Sequence, residues 1–246
     1  MKSRFNLLPL ACFACAGQPA APAASTAPEA SVAPRATIAQ EGPAPTCAKG
    51  TRPAPDGLID DFEAADGRPP ALAGRNQTWW VSGDKSAKIA IPGATFAAVD
   101  GGPPGSKKAI HFAGTSAYED QWGAIVAVNF LPAGFYDASK YAGIAFKIKA
   151  GKPNSNVRLK MSDVASHPEG GLCAKECWNS FGRELVVGTE WESVTLMWSE
   201  LAQQPDWGIP RPALITPSKI RDAEWTVYPS PAFDFWVDDI HFVECN

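Results

Sequence analysis

The sequence predicts an all-β fold, an antiparallel sandwich of two sheets. Short stretches rich in Val, Ile, Phe, Trp and Tyr recur along the chain and are separated by Gly, Pro, Asn or Asp turns. Many of these stretches alternate apolar and polar residues, and no long stretch repeats at the helical period of about 3.6 residues. Glycine and proline number 21 and 23 among 246 residues, and tryptophan 9, which also favours strands and turns.

Ten strands can be placed from this pattern. They cover residues 78–81, 95–99, 108–112, 123–130, 142–148, 157–161, 184–187, 192–196, 222–228 and 233–243, and helical turns are predicted only at 138–141 and 198–203. With 45% hydrophobic and 20% charged residues, the chain can bury one sizeable core. The net charge of -4 supplies no basic stripe for phosphates, which argues against a nucleic-acid partner. We expect a monomer.

The first 55 residues are predicted to lie outside the folded domain. Residues 1–15 have a basic start, a short apolar run and small residues, which is typical of an export signal. Cys15, or alternatively Cys12, resembles the acylated cysteine of a bacterial lipoprotein, and ordinary secretion is the alternative. Residues 16–55 are rich in Ala, Pro, Ser and Thr and form a predicted extended tether. The domain is predicted at residues 56–246.

Two acidic clusters lie near the ends of this domain. Apolar residues alternate from Phe233 to Val237, and their phase then shifts at Asp238 and Asp239, which predicts a β-bulge. Burying carboxylates on an aromatic strand costs free energy unless a positive group lies beside them. No Lys or Arg occurs in this last strand or in the matching segment 58–63. A calcium ion bound by both segments would explain the acids. The alternative is that they are solvated residues at strand ends.

The cysteines are consistent with an exported protein. Four remain after the signal, and an even number suits disulfides outside the cytosol. Cys173 and Cys177 would close a small loop, and Cys47 with Cys245 would join the two ends of the domain. Three pairings are possible, and this one suits a sandwich whose first and last strands are neighbours. Zinc at Cys173 and Cys177 is less favoured because no second ligand pair with suitable spacing occurs.

Several segments together carry a family resemblance. They are Leu58-Ile-Asp-Asp-Phe-Glu63, Gly74-Arg-Asn-Gln-Thr-Trp-Trp80, residues 136–146, the cysteine loop 168–182, residues 199–208 and Phe235-Trp-Val-Asp-Asp-Ile240. In combination they resemble galactose-binding-like β-jelly-roll domains, in particular carbohydrate-binding modules of the family-eleven type and domains of myxobacterial surface lipoproteins. The resemblance implies one flat and one concave antiparallel sheet, with structural calcium joining the first and last strands. By position, Glu63 and Asp238 match its ligands, with Asp61 and Asp239 as further candidates.

In such modules saccharide lies across the concave sheet or along its rim. A sugar ring packs its C–H face on an aromatic ring, and its hydroxyl groups need directional donors and acceptors. The strand 157–161 places Arg158 and Lys160 on one side and its apolar residues on the other. The predicted ligand-binding residues are Trp80, Trp122, Arg158, Lys160, Asp163, His167, Trp178 and Asn179.

Signals for catalysis are sparse. The three histidines are scattered, and the sequence has no Gly-x-Ser-x-Gly, no phosphate-binding glycine loop and no histidine pair at helical spacing for zinc. We therefore predict a non-catalytic polysaccharide-binding domain, exported and held at the membrane or cell surface only through its lipid anchor, or secreted. The alternatives are an envelope domain that binds another protein and no sugar, and a glycosidase, which would need two facing carboxylates.

Overall fold

Strands with alternating apolar and polar residues form two antiparallel sheets in a computed structural model of the chain. The structure describes residues 46–64, 67–90, 98–116, 122–228 and 230–246. The predicted signal at 1–15, Cys15 and the tether as far as residue 45 lie outside the described residues. Within the described ranges, no helix combines the length and the apolar character needed to cross a membrane.

Twelve strands are present in the described part of the chain. They are β1 (Thr51–Asp60), β2 (Thr78–Gly83), β3 (Lys88–Ala90), β4 (Val99–Asp100), β5 (Lys108–Thr115), β6 (Ala124–Asn129), β7 (Gly143–Ala150), β8 (Ser155–Asp163), β9 (Phe181–Val187), β10 (Glu192–Met197), β11 (Ile220–Val227) and β12 (Phe233–Cys245). Three single-turn 3-10 helices lie at Pro168–Gly170, Trp198–Glu200 and Pro217–Lys219. The fold is therefore all-β, as predicted.

The two sheets differ in size and order. The larger has seven strands in the order β10-β7-β12-β5-β3, with β1 paired to β12 and β4 paired to β5. The smaller has five strands in the order β2-β6-β11-β8-β9. Strand β12 pairs with β1, β5 and β7, so the end of the chain organises the larger sheet.

The first strand begins earlier than the predicted domain boundary at residue 56. Strand β1 starts at Thr51 and includes residues 51–55, which the sequence pattern assigns to the tether. Proline cannot donate a ladder hydrogen bond and is tolerated on edge strands or at bulges. Among the described strands, β1 pairs only with β12, and its register shifts between Pro53 and Leu58, so the edge position accommodates Pro53 and Pro55.

The predicted bulge in the last strand is confirmed. The pairing of β12 with β7 shifts register between Asp238 and His241, and Asp239 has a φ of 48°. The extra residue turns Ile240 and Phe242 into the core, where both are buried. The bulge thus keeps apolar side chains on the inner face after the apolar phase of the sequence shifts.

The core lies between the two sheets and is rich in aromatic rings. Its largest fully buried apolar side chains include Trp198, Trp225, Tyr141, Phe112, Phe130, Phe146, Phe181, Phe235 and Phe242. The Phe146 and Trp225 rings meet edge to face across the sandwich, with centroids 5.3 Å apart. Burial of so much apolar area on the inner faces leaves the two outer faces for polar residues and function.

Both predicted disulfides are formed. Cys47, just before β1, is bonded to Cys245 at the end of β12. Cys173 is bonded to Cys177 and closes a loop of three residues between β8 and β9. The first bond ties together the two ends of the folded domain, and the second shapes the loop that carries Trp178.

Candidate functional site

The outer face of the five-stranded sheet collects polar side chains and one tryptophan. On β8, Val157, Leu159 and Met161 enter the core, so the intervening residues point outward. The same alternation holds for the neighbouring strands. The residues of this outer face are Trp80, Asn129, Arg158, Lys160, Ser162, Glu184, Asp222, Glu224 and Thr226. The prediction that Arg158 and Lys160 share one side of their strand is confirmed.

One cross-strand row links the aromatic and charged residues of this face. Trp80 pairs with Ala127, Ala127 with Glu224, Glu224 with Lys160, and Lys160 with Gly182. Adjacent strands lie about 4.8 Å apart, so the backbones of Trp80 and Lys160 are separated by three spacings, about 14 Å. Ala127, at the second position, is buried.

The Trp80 indole is held in place by a neighbouring strand. Its Nε1–H donates to Oδ1 of Asn129 at 2.9 Å. The other tryptophan of the pair, Trp79, turns inward and stacks against Trp225, with centroids 5.9 Å apart. Trp80 is therefore a partly exposed ring of fixed orientation on the outer face.

The centre of the face is a compact network of charges and hydroxyl groups. Lys160 Nζ lies 2.8 Å from Glu224 Oε2, and the Ser162 hydroxyl donates to Glu224 Oε1 at 3.0 Å. Ser162 also bonds the hydroxyl of Ser180 at 2.8 Å. Burial, with the nearby Glu224 charge, raises the pKa of Asp222 to about 8.

Arg158 is fixed at one end of the face. Its Nη1 donates to Glu184 Oε1 at 3.0 Å and its Nη2 to the Ala202 carbonyl at 2.9 Å. The Tyr228 hydroxyl donates to the same Glu184 oxygen and accepts from Gln204 Nε2. Arg158 is thus mostly engaged with the protein, and Tyr228 and Glu184 are the more exposed members of this group.

Trp178 lies at the opposite end, beside the short disulfide loop. It is 49% exposed, and its φ of 80° is strained for a residue with a side chain. Its ring meets the His167 ring edge to face, with centroids 4.6 Å apart. The backbone N–H of Trp178 donates to the Ser166 carbonyl at 2.9 Å. Burial lowers the pKa of His167, whereas the Glu224 charge raises it. Because the Glu224 charge reaches His167, this corner of the face adjoins the central network.

Two of the predicted ligand residues are turned into the protein. Asp163 is fully buried, and its carboxylate accepts from the backbone N–H groups of Ala165, Ser166 and Thr216 at 3.0 Å each. Asn179 is also buried and donates through Nδ2 to two carbonyls of the loop 203–208. Both side chains hold loops beside the outer face, since neither has surface to offer a ligand.

Trp122 lies at the other end of the sheet from Trp178. It is 41% exposed and precedes Gly123, which packs against the backbone of Val227 and Tyr228. The structure therefore brings together Trp80, Lys160, His167 and Trp178 around the central network, and it places Trp122 at the far end beside Tyr228.

Asp222, Glu224, Ser162, Asn129 and Tyr228 are functional candidates that the sequence pattern did not identify. The signal was present in the last predicted strand before β12, where polar residues alternate with Ala223, Trp225 and Val227. That alternation gives the outward direction of the side chains. It does not give the cross-strand register that aligns Glu224 with Lys160 and Trp80.

The acidic cluster at the β12 bulge has one unsatisfied oxygen. Asp238 is fully buried, and its Oδ2 has no hydrogen-bond partner among the described residues. Burial, together with the charges of Asp239 and Asp61, raises the pKa of Asp238 to about 7 against the opposing hydrogen bond of Ser106. A buried carboxyl oxygen without a partner fits a cation at this position.

The other predicted metal ligands are only partly available. Glu63 Oε1 accepts from the backbone N–H groups of Lys107 and Lys108, both at 2.7 Å, and from Ser106 at 3.0 Å. Asp239 Oδ2 pairs with Lys147 Nζ at 2.6 Å. Across the described ranges, no three His, Cys, Asp or Glu side chains converge as a metal-binding group. A cation here would need hydroxyl or carbonyl oxygens besides Asp238 and Glu63, which calcium accepts.

Comparisons with known proteins support the fold. No protein-family model and no curated protein sequence matches the chain. Among solved structures, the family 11 carbohydrate-binding module of a cellulosomal cellulase from Clostridium thermocellum is 17% identical, with a TM-score of 0.50, 78% of this chain and 94% of that chain covered. The family 11 module from the same organism in complex with a β-1,3-1,4-mixed-linked tetrasaccharide is 15% identical, with a TM-score of 0.50 and coverages of 77% and 95%. The chain therefore has the β-sandwich fold of family 11 carbohydrate-binding modules.

Proposed function

We propose that this domain binds polysaccharide across the outer face of the five-stranded sheet and does not cleave it. The observation that carries the proposal is the cross-strand row that aligns the partly exposed indole of Trp80 with Lys160, whose ammonium group is paired with the buried Glu224. A sugar ring needs an aromatic surface for its C–H face and charged or polar groups for its hydroxyls, and this row supplies both.

Trp178 extends the proposed surface beyond the row. Its ring is half exposed and stands beside His167, close to the central hydroxyl and carboxyl network. The strained backbone and the surrounding loop contacts keep the ring where solvent reaches it. Such an arrangement favours contact with a ligand longer than one sugar, with Trp80 and Trp178 as separate stacking positions.

The shared fold guides the choice of ligand. One of the similar structures is a complex with a β-1,3-1,4-mixed-linked tetrasaccharide. Mixed-linked β-glucan is therefore the first polymer to test, followed by xylan and a peptidoglycan-type polymer. The protein-binding alternative, with no sugar ligand, would be favoured if none of these polymers binds.

We also propose a structural calcium ion at the β12 bulge, held by Asp238 and Glu63. The unpartnered Oδ2 of Asp238 and the shared neighbour Ser106 support this position. Calcium would supply positive charge where the strand buries a carboxyl group. Asp61 and Asp239 lie near enough to influence Asp238 and remain additional candidates.

Export completes the proposal. Two disulfides in the described domain suit an oxidising compartment outside the cytosol. We propose that residues 1–15 direct export, that Cys15 carries a lipid and that the tether holds the domain away from the membrane. Metabolic labelling with a palmitate analogue, in wild type and Cys15→Ser, would test the anchor.

Affinity gel electrophoresis tests the binding proposal. Wild type should be retarded by at least one polymer, and Trp80→Ala and Trp178→Ala should each lose most of the retardation, as a stacked ring contributes about 1 kcal/mol or more. Trp191→Ala is the matched control, because Trp191 contacts Lys149 on the opposite sheet, with Nζ 5.0 Å from the ring centroid. No retardation by any polymer would overturn the proposal. Release of reducing ends from the bound polymer would contradict the non-catalytic part.

A further inference from the structure

Two carboxyl groups on the outer face are buried next to each other. Asp222 and Glu224 are separated by one residue on β11, both point away from the core residue Ala223, and each is only 2% exposed. Side chains at such positions lie on the same face of a strand, about 7 Å apart along it. Two ionised carboxylates at this distance, both removed from water, repel each other strongly.

Among the described residues, one cation forms an ion pair with these two carboxyl groups. Lys160 Nζ lies 2.8 Å from Glu224 Oε2, and the Ser162 hydroxyl donates to Glu224 Oε1. By contrast, Oδ1 of Asp222 has no hydrogen-bond partner among the described residues. Glu224 is therefore ion-paired with Lys160, whereas Asp222 has a hydrogen bond to Ser162 but no ion pair with a described residue.

The other charged groups near the pair are engaged elsewhere. On β8, Arg158 is bound to Glu184 of β9. On β11 itself, Arg221 donates to the Leu131 carbonyl and lies 3.4 Å from Glu169 of the 3-10 helix. The loop before the 3-10 helix Pro168–Gly170 contributes His167, and burial lowers the pKa of this histidine. The facing residues of β6 and β2 are Asn129 and Trp80, which carry no charge. The charges of Lys160 and Arg221 lower the pKa of Asp222, but burial and the Glu224 charge raise it more.

We propose that Asp222 and Glu224 share one proton at neutral pH, and that loss of this proton in alkaline solution weakens glycan binding at the outer face. The proposal rests on the proposed function, since Glu224 belongs to the row that contains Trp80. A sugar lying on this row replaces solvent above the buried pair by a less polar medium and so disfavours its doubly ionised form. By linkage, the ligand binds more tightly to the protein with the protonated pair. At a pH above the pKa of the pair, the protein therefore takes up a proton as the ligand binds.

The ligand-free protein gives the first test. Carbon-13 NMR of the Asp and Glu side-chain carboxyls, followed from about pH 5 to about pH 10, should show one carboxyl that ionises near pH 8. That transition should be absent in Asp222→Asn and should move to lower pH in Glu224→Gln. Complete ionisation of both carboxyls below about pH 6 would overturn the shared proton, whatever the ligand.

Calorimetry with a mixed-linked β-glucan tetrasaccharide gives the second test. Affinity should fall about five-fold or more between about pH 6.5 and about pH 9.5, and Asp222→Asn should lose this dependence while Asp100→Asn, an exposed acid on β4, keeps it. Binding that is independent of pH, or that strengthens as the pH rises, would overturn this inference and leave the proposed function intact. No binding at any pH would overturn the coupling together with the proposed function, and the NMR result would still decide the shared proton.

Discussion

The Nε1–H of Trp80 donates to Oδ1 of Asn129 at 2.9 Å and ties the indole of edge strand β2 to the adjacent strand β6. An edge-strand tryptophan without such a bond could turn between several rotamers. The bond restricts the ring to one orientation on the outer face and so reduces the conformational entropy that a ligand must remove. Asn129 therefore acts on binding through Trp80.

Removal of this bond should weaken ligand binding while the fold is kept. In Asn129→Ala, we expect affinity for mixed-linked β-glucan to fall about 2- to 10-fold, the value of one hydrogen bond. Thr78→Ala is the matched control, since Thr78 is the exposed cross-strand partner of Asn129. Calorimetry measures both affinities. Equal affinity in wild type and Asn129→Ala would show that the bond does not hold the ring in the orientation that binds ligand.

The two disulfides should contribute unequally to stability. Cys47–Cys245 spans 198 residues and Cys173–Cys177 spans 4, and loop-closure entropy rises with the length of the closed loop. We expect Cys47→Ser/Cys245→Ser to lose about 3–5 kcal/mol of unfolding free energy, and Cys173→Ser/Cys177→Ser about 2 kcal/mol or less. Denaturant unfolding measures both. A larger loss from the short loop would contradict this order.

Stability should decline as the pH rises from mildly acidic to about 8. Burial raises the pKa of Asp60 to about 6, of Asp238 to about 7 and of Asp222 to about 8. A carboxyl whose pKa is raised on folding gives stability that is present below its unfolded pKa and is lost as the pH rises through the folded value. In chelator, the melting temperature should therefore fall from about pH 4 to about pH 8 and then level off. Asp222→Asn should flatten the upper part of this curve, and an unchanged curve would contradict the role of Asp222.

Bound calcium should make the ionised Asp238 stabilise the folded state instead of destabilising it. A cation bound only to the folded state raises stability by mass action, about 2.7 kcal/mol at one hundred times its dissociation constant. Chelation should therefore lower the melting temperature of the wild type at neutral pH. Asp238→Asn should melt at the same temperature with calcium or chelator, and Asp100→Asn should respond like wild type. A wild-type curve that chelator does not change would refute the calcium proposal.

Local sequence patterns predict much of this fold because they report directly on strand periodicity. The alternation at 157–161, the bulge at Asp238 and the Cys173–Cys177 disulfide follow from spacing, and the structure confirms each. The Cys47–Cys245 disulfide was expected because it suits neighbouring first and last strands, and it is also formed. The start of β1 at Thr51 could not be predicted, because prolines disfavour strands unless the position is an edge, and edges are set by the tertiary fold.

The candidate site depends on contacts between distant strands, which sequence patterns do not report. Asp163 and Asn179 were predicted to face a ligand, yet Asp163 ends β8 and Asn179 follows a turn, and both point inward to backbone groups. Conversely, Asp222 and Glu224 have the pattern of a solvated strand face. They are buried in the middle strand of the smaller sheet, where β11 lies between β6 and β8, and this position is set by strand order and register.

NMR of the tryptophan indole N–H groups during titration with a mixed-linked β-glucan tetrasaccharide tests the central claim most directly. The proposed outer-face site predicts that the signals of Trp80 and Trp178 shift with the same binding curve, while the buried Trp198 and Trp225 and the opposite-sheet Trp191 stay in place. Assignment by the single Trp→Phe variants identifies each signal. Absence of any shift at saturating oligosaccharide, or shifts confined to Trp191, would contradict the account.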